Sequence, residues 1–299
     1  MKLEDAARAA LPACPVCGGH TWSPPRAPTQ LRWCCSCGVV WNDRSSSREA
    51  EESRYEDYSH RPGSEWLEAE GWKVGCSQWE WVRTELCQPL AGVERTVLDI
   101  GCGHGAFLRR AREDGARVAG VELDPQGAAE CRAAGLDVRA GSLFDTGVPE
   151  GPWDLVTFWD VLEHLDDPAA ALRQVAPVVK PGGAVVVRGR NARLHAPIKV
   201  AYQRARAAAS ALRIPDLSCV HRWGFGPDHY RVLLLAAGFQ GLDLYPGLPT
   251  PGDRSRTLGT RGARVAKGVI EVVGMTLSGL SIGRLYPFPS VLISARKSS

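Results

Sequence analysis

A chain of 299 residues, 44% apolar and 23% charged, is long enough for a sizeable core and too apolar for a disordered polymer, while a formal net charge of +3 does not by itself mark a nucleic-acid-binding protein. The first residues carry Glu4 and Asp5 with no long apolar run, and no stretch of about twenty apolar residues follows, so neither a signal peptide nor a membrane span is expected. The expectation is a cytoplasmic protein whose ten cysteines act as metal ligands or buried thiols rather than in disulfides.

Three regions follow one another: 1–42, a cysteine module; 43–64, a polar connector; and 65–299, a larger domain. In the first, Cys14 and Cys17 are followed by Gly18, and Cys34 and Cys37 by Gly38, so that two C-x-x-C-G turns face each other across the module. This spacing predicts a four-thiolate zinc ribbon, closed and structural, with each glycine freeing the backbone to curl round the metal. Cys35 is out of register and should point away, and His20 is not needed as a ligand. Zinc would supply the stability that about forty residues cannot draw from an apolar core.

Beyond the connector, short apolar strands alternate with amphipathic helices. "TVLDIG" (96–101), "RVAGVEL" (117–123), "DVRAG" (137–141), "WDLVTFWD" (153–160) and "GAVVVRG" (183–189) read as strands. "AFLRRAREDG", "PQGAAECRAAG", a segment from about 168 to 179 ended by "KPGG", and "PDHYRVLLLAAGF" (227–239) read as helices. Strands alternating with helices of this length predict an α/β fold with a doubly wound, mostly parallel sheet. "GLDLY" and "SVLISARK" add an antiparallel pair at the sheet edge, making seven strands, and 191–226 is an insertion after the fifth strand.

"VLDIGCGHGAF" (97–107) is the strongest motif. Asp99 ends a strand, and Gly101, Gly103 and Gly105 let the backbone turn sharply against a ligand. The spacing is G-x-G-x-G after an acid, and the next strand ends in Glu122, a carboxylate suited to ribose hydroxyls. From Glu65 to Lys297, through "VLDIGCGHGAF", "VAGVELDP", "GSLFD", "WDLVTFWDVLEHLDDP" and "LRQVAPVVKPGGAVVV", the chain resembles the class I S-adenosylmethionine (SAM)-dependent methyltransferases, with their Rossmann-like fold. The resemblance implies that the methionine part of SAM lies along Asp99, Gly101, Cys102, Gly103 and Gly105, and its ribose on Glu122. Adenine would lie against Leu123 and the loop carrying Ser142, Leu143 and Phe144. Carboxylates at Asp99 and Asp160 suit a sulfonium cation, whereas a pyrophosphate would want helix N-termini free of acids.

"DVLEHLDDP" (160–168) follows the fourth strand at its carboxyl end, where open α/β sheets gather ligands. Asp160, Glu163 and His164 would share one face of a helical turn. There they serve either as base and partners for methyl transfer to oxygen or as holders of a divalent cation. The pattern resembles the ubiquinone-biosynthesis O-methyltransferases, although the first acid is Asp rather than Glu. In "HRWGFGPDHY", His221, Trp223 and Phe225 either line the acceptor pocket or form an aromatic clasp that closes the sheet edge, with His229 on a helix surface in the first case; Tyr55 and Tyr58 would cover the cofactor.

Eight Arg/Lys against Asp216 alone between Arg188 and Arg222 suggest a basic face for an anionic or lipid-linked acceptor, and the glycine-broken apolar stretch 264–289 reads either as a late crossover packed on the sheet or as a peripheral membrane contact. The function expected is methyl transfer from SAM to an oxygen of a small-molecule acceptor (saccharide, lipid-linked or secondary metabolite), with no nucleic-acid partner. The alternative is a ribosomal RNA base methyltransferase that binds RNA through its zinc ribbon, with Trp22, Trp33 and Trp41 as stacking surfaces.

Overall fold

The computed structural model describes residues 11–42, 64–86, 95–212, 220–247 and 286–298. The connector with Tyr55 and Tyr58, and most of the 264–289 stretch, lie outside the described residues. No helix among the described residues is long and apolar enough to cross a membrane.

Two short strands, β1 (Leu31–Trp33) and β2 (Val40–Asn42), form an antiparallel hairpin in the cysteine module. After helix α1 (Ser64–Trp81) the α/β alternation begins: β3 (Thr96–Ile100), α2 (Ala106–Glu113), β4 (Arg117–Glu122), α3 (Pro125–Ala133) and β5 (Asp137–Ala140). There follow the short α4 (Leu143–Thr146), β6 (Trp153–Trp159), α5 (Pro168–Val175) and β7 (Val179–Arg190). The insertion supplies α6 (Ala192–Arg204) and α7 (Arg206–Ala211), and then come β8 (Trp223–Gly224), α8 (Pro227–Ala236), β9 (Phe239–Gly247) and β10 (Ser290–Lys297).

Seven of these strands form one sheet in the order β5-β4-β3-β6-β7-β10-β9. β3 pairs in parallel with β4 and β6, and β10 runs antiparallel to β7 and β9. This is the doubly wound sheet expected, with its reversed strand near one edge. Every residue of β3 is buried, because helices cover both faces and leave no solvent side for polar alternation. One face packs Leu98, Ile100, Val156, Phe158, Val185, Val187 and Ile293, and the other packs Val97, Leu155, Val186 and Leu292 against α2. The order reverses at β3, so the crevice outside the carboxyl ends of β3, β4 and β6 is where a ligand is received.

Local chemistry sets the helix starts. Asp124 caps α3 by accepting from the amides of Gln126 and Gly127, and Asp167 caps α5 from Ala170, each with proline at the first helical position. α5 is shorter than the sequence suggests. It passes at Ala176 into a single tight turn containing Pro177, and "KPGG" lies inside β7 instead of ending the helix.

β8 is outside the main sheet. It pairs with β2, aligning Val40 with Gly224 and Trp41 with Trp223, so the cysteine module forms a three-stranded sheet with a strand 180 residues further on. Trp22, Trp41 and Trp223 pack together, with ring centroids 5.9 and 6.2 Å from Trp22. Leu31 and Val40 pack against Ala192, Ala196 and Val200 of α6.

Candidate active site

The glycine loop leaves β3 with Gly101, Gly103 and Gly105 all at positive φ. At Gly105 a side chain would also collide with Leu136 and Cys131, at 2.6 and 2.8 Å. At Gly103 nothing lies within 4 Å of where a Cβ would stand, so the loop presents bare backbone to open space. Cys131 donates to the Gly103 carbonyl at 3.2 Å, tying the loop to α3. Cys102 is buried, and its sulfur faces Gly120 of β4, which leaves its backbone to line the loop.

Asp99 is 2% exposed and accepts from Thr157 Oγ1 at 2.6 Å. Burial pushes its carboxyl up to about 8, against the Thr157 hydrogen bond and with the charge of Glu122 adding to the effect. Glu122 is buried too. Its Oε2 accepts from the Gly103 amide at 2.6 Å and its Oε1 from the Asp124 amide at 2.9 Å. Burial raises its pKa, and those two amides hold it down. An ionised carboxylate has about four acceptor positions, so ribose hydroxyls can still be met. Leu123, Ser142 and Phe144 are half-buried at the rim, whereas Leu143 belongs to the core. Two buried carboxylates beside a glycine loop suit a cationic cofactor, and the residues present fit SAM.

The acid–histidine segment is a turn and not a helix, which corrects the shared helical face expected of Asp160, Glu163 and His164. Asp160 has φ 57°, the one non-glycine residue with positive φ among those described. Such a conformation is held only where its surroundings over-determine it. The Asp160 amide donates to the Arg188 carbonyl at 2.8 Å, and its carboxylate pairs with the buried Arg188 guanidinium. Glu163 is 1% exposed. Its Oε1 accepts from the Arg190 amide at 3.1 Å, and its Oε2 is buried with no hydrogen-bond partner among the described residues. Burial raises its pKa, Asp160 adds to the rise, and His164 opposes it. The buried Tyr230 hydroxyl comes close to the same carboxylate over Gly189, where any side chain would strike both.

The third member of the cluster is His221. Its ring lies 4.0 Å from that of His164, centroid to centroid. Ligand atoms of Glu163, His164 and His221 lie within 4.8 Å of one another, a set that excludes Asp160. Sequence reasoning placed His221 at the acceptor pocket without joining it to His164. It missed Arg188, although an arginine in the run "VVVRGR" is a visible signal for a buried charge partner. Trp223 and Phe225, expected to line the pocket, are buried in the core. His229, expected on a helix surface, is buried because the cysteine module covers that face of α8. Three residues of the basic stretch are paired with acids: Arg188 with Asp160, Arg193 with Asp228, and Arg222 with Asp166. Partners from other segments thus offset a charge excess that looks one-sided along the sequence.

Cys14, Cys17, Cys34 and Cys37 converge, all four sulfurs lying within 4.8 Å of one another. Cys14 to Cys37 and Cys17 to Cys34 are each 3.5 Å apart. Tetrahedral thiolates at about 2.3 Å from zinc would stand about 3.8 Å apart, so the donor set fits that ion. Burial raises the Cys34 thiol, but the amides of Cys37 and Ser36 outweigh this and bring it to about 7. Cys35 is exposed and outside the cluster.

The chain matches the family described as a methyltransferase domain over residues 79–244, more than half its length, and belongs to that family. Its strand order and glycine loop make it a class I SAM-dependent methyltransferase domain. Among curated relatives, the ubiquinone biosynthesis O-methyltransferase of Albidiferax ferrireducens is 33% identical over 149 residues, covering 46% of this chain and 56% of that protein. The enzyme of the same name from Bordetella avium is 36% identical over 113 residues, covering 36% and 46%. The chain thus spans about half the length of the curated relatives it matches. Among solved structures, a SAM-dependent methyltransferase from Mesorhizobium loti is 21% identical with a TM-score of 0.49, covering 73% of this chain and 98% of that one. A methyltransferase from Thermotoga maritima, described as a possible histamine N-methyltransferase, is 17% identical with a TM-score of 0.49, covering 83% and 98%.

Proposed function

We propose that the protein transfers the methyl group of SAM to a hydroxyl of a small-molecule acceptor, with His164 or His221 taking the proton. The observation that carries this reading is the convergence of Glu163, His164 and His221 at the carboxyl end of β6, beside the glycine loop. Bound SAM supplies an electrophilic methyl on a sulfonium. Glu122 holds the loop and faces the ribose, Asp99 offsets positive charge, and one of the paired imidazoles accepts the proton as the acceptor oxygen attacks. The buried Glu163 carboxylate gains most from its charge once the imidazole beside it is protonated, so it stabilises the imidazolium. Transfer to oxygen is supported by the relatives named as O-methyltransferases. The RNA-directed alternative draws less support, since Trp22 and Trp41 are packed in the core and cannot stack on bases.

To test it, purified protein is incubated with methyl-labelled SAM and separated cell fractions. Label in small-molecule or lipid pools supports the reading, and label in RNA overturns it. With the acceptor in hand, His164→Gln should lower turnover by about a hundredfold or more while SAM affinity stays constant. Unchanged turnover in both His164→Gln and His221→Gln removes the base role.

The close approach of the three ligand groups favours a second reading, in which Glu163, His164 and His221 hold a divalent cation that orients the acceptor. Activity lost to a weak chelator and restored by a first-row divalent ion such as cobalt, with metal at the four cysteines still in place, would support it.

A further inference from the structure

We propose that the cysteine ribbon positions His221 against His164, with Asn42 and His229 as the positioning residues that transmit its geometry. The inference rests on the reading of the histidine pair as the reacting site.

His221 stands in a segment with little structure of its own. The adjoining strand β8 is two residues long, and β2 of the ribbon is its strand partner. So short a strand has no stability without its neighbour. The ribbon grips the segment at several points. The Asn42 amide donates to the Arg222 carbonyl at 3.0 Å, and Asn42 Nδ2 donates to the Val220 carbonyl at 3.0 Å, which brackets His221 on both sides. From the opposite direction, the Trp223 amide donates to the Glu163 carbonyl at 2.9 Å, and Trp223 Nε1 donates to the Leu165 carbonyl at 2.9 Å. His221 is therefore clamped between the ribbon and the turn that carries Glu163 and His164.

A second tie runs from the cysteine cluster itself. His229 Nε2 donates to the carbonyl of Cys37 at 2.9 Å, and its Nδ1 accepts from the Gly226 amide at 2.9 Å. One buried imidazole thus joins a cysteine knuckle to the start of α8, whose cap Gly226 lies two residues past Gly224. Trp22, Trp41 and Trp223 fill the space between. The knuckles depend on the metal their sulfurs fit, because so small a module cannot fix its own backbone. Metal at the four cysteines consequently sets the position of a histidine that it never touches.

The test uses the full-length zinc-loaded protein with carbon-13-labelled histidine, the imidazole signals being assigned from His164→Gln and His221→Gln. In Asn42→Ala and His229→Leu the zinc content and SAM affinity should stay at wild-type levels while the His164 and His221 signals shift or broaden. In the labelled-acceptor assay these variants should lose about tenfold to a hundredfold in turnover, the scale set by misplacing a reacting group by about 1 Å. His229→Gln, which can still donate to Cys37, should recover part of the loss. Should His229→Leu fail to fold, Asn42→Ala carries the test, since it deletes one side-chain hydrogen bond. Unmoved histidine signals in a zinc-replete Asn42→Ala protein overturn the inference. If the signals move but His164→Gln and His221→Gln both keep full turnover, the positioning stands and the base role falls; fixed signals with a dead His164→Gln give the reverse.

Discussion

Replacing Glu122 by glutamine preserves side-chain volume and removes one acceptor at the point where the glycine loop meets β4. Both oxygens of the native carboxylate are engaged, Oε2 by the Gly103 amide at 2.6 Å and Oε1 by the Asp124 amide at 2.9 Å. A glutamine can accept from one of these amides, and its NH2 must then face the other, donor against donor. The buried donor left unpaired costs about 1–3 kcal/mol. At about 1.4 kcal/mol per tenfold, SAM affinity should fall by about 5- to 100-fold. Titration calorimetry with SAM and with its demethylated product S-adenosylhomocysteine reads the effect. The loss should be similar for both, because the carboxylate acts by shaping the loop and meeting the ribose rather than through the sulfonium charge. Binding within about twofold of wild type would refute the argument. A loss confined to SAM would show that the charge matters in place of the geometry.

Asp99 gives a pH signature. Its folded value of about 8 lies above the ordinary 3.8, so the folded cofactor-free protein keeps a proton that the unfolded chain releases, and stability should fall as pH rises between these values. SAM, a cation, selects the ionised form, so the rise in Tm that it causes should grow as pH climbs through about 8, and Asp99→Asn should abolish both trends in scanning fluorimetry. At the cysteine centre, Cys35→Ser should leave zinc content unchanged, while Cys37→Ser should lose zinc and alter the emission of the packed Trp22, Trp41 and Trp223 rings.

How far the molecule could be read from its sequence depends on the range of the interactions involved. The strands of the sheet announce themselves because a strand covered on both faces is almost wholly apolar, as at Val97, Leu98 and Ile100 and at Val185–Val187. The cysteines are legible because the two C-x-x-C turns are local signals, and the four sulfurs converge as that spacing predicts. Asp160 is the opposite case. Its neighbours suggest a helical face, but the guanidinium 28 residues away and the left-handed backbone take it out of the histidine cluster. His229 reads as exposed from the periodicity of α8, and is buried only because a segment from the far end of the chain lies over it. His221 joins His164 for the same reason. Such placements follow from which elements meet, and no window of local sequence encodes that.

The pairing of β2 with β8 also governs the order in which the chain can complete itself during synthesis. Asn42 and Val220, which meet in the finished molecule, are 178 residues apart along the chain. At roughly 5–20 residues per second, the amino-terminal hairpin waits roughly 10–35 s on the ribosome with an open strand edge before its partner emerges. Such an edge invites pairing with other chains. The seven-stranded sheet waits as well, because β10, which separates β7 from β9, is made last. A metal captured early at the cysteines would keep the nascent hairpin folded through that interval, so an ion that fits this donor set would act on yield before the sheet is complete.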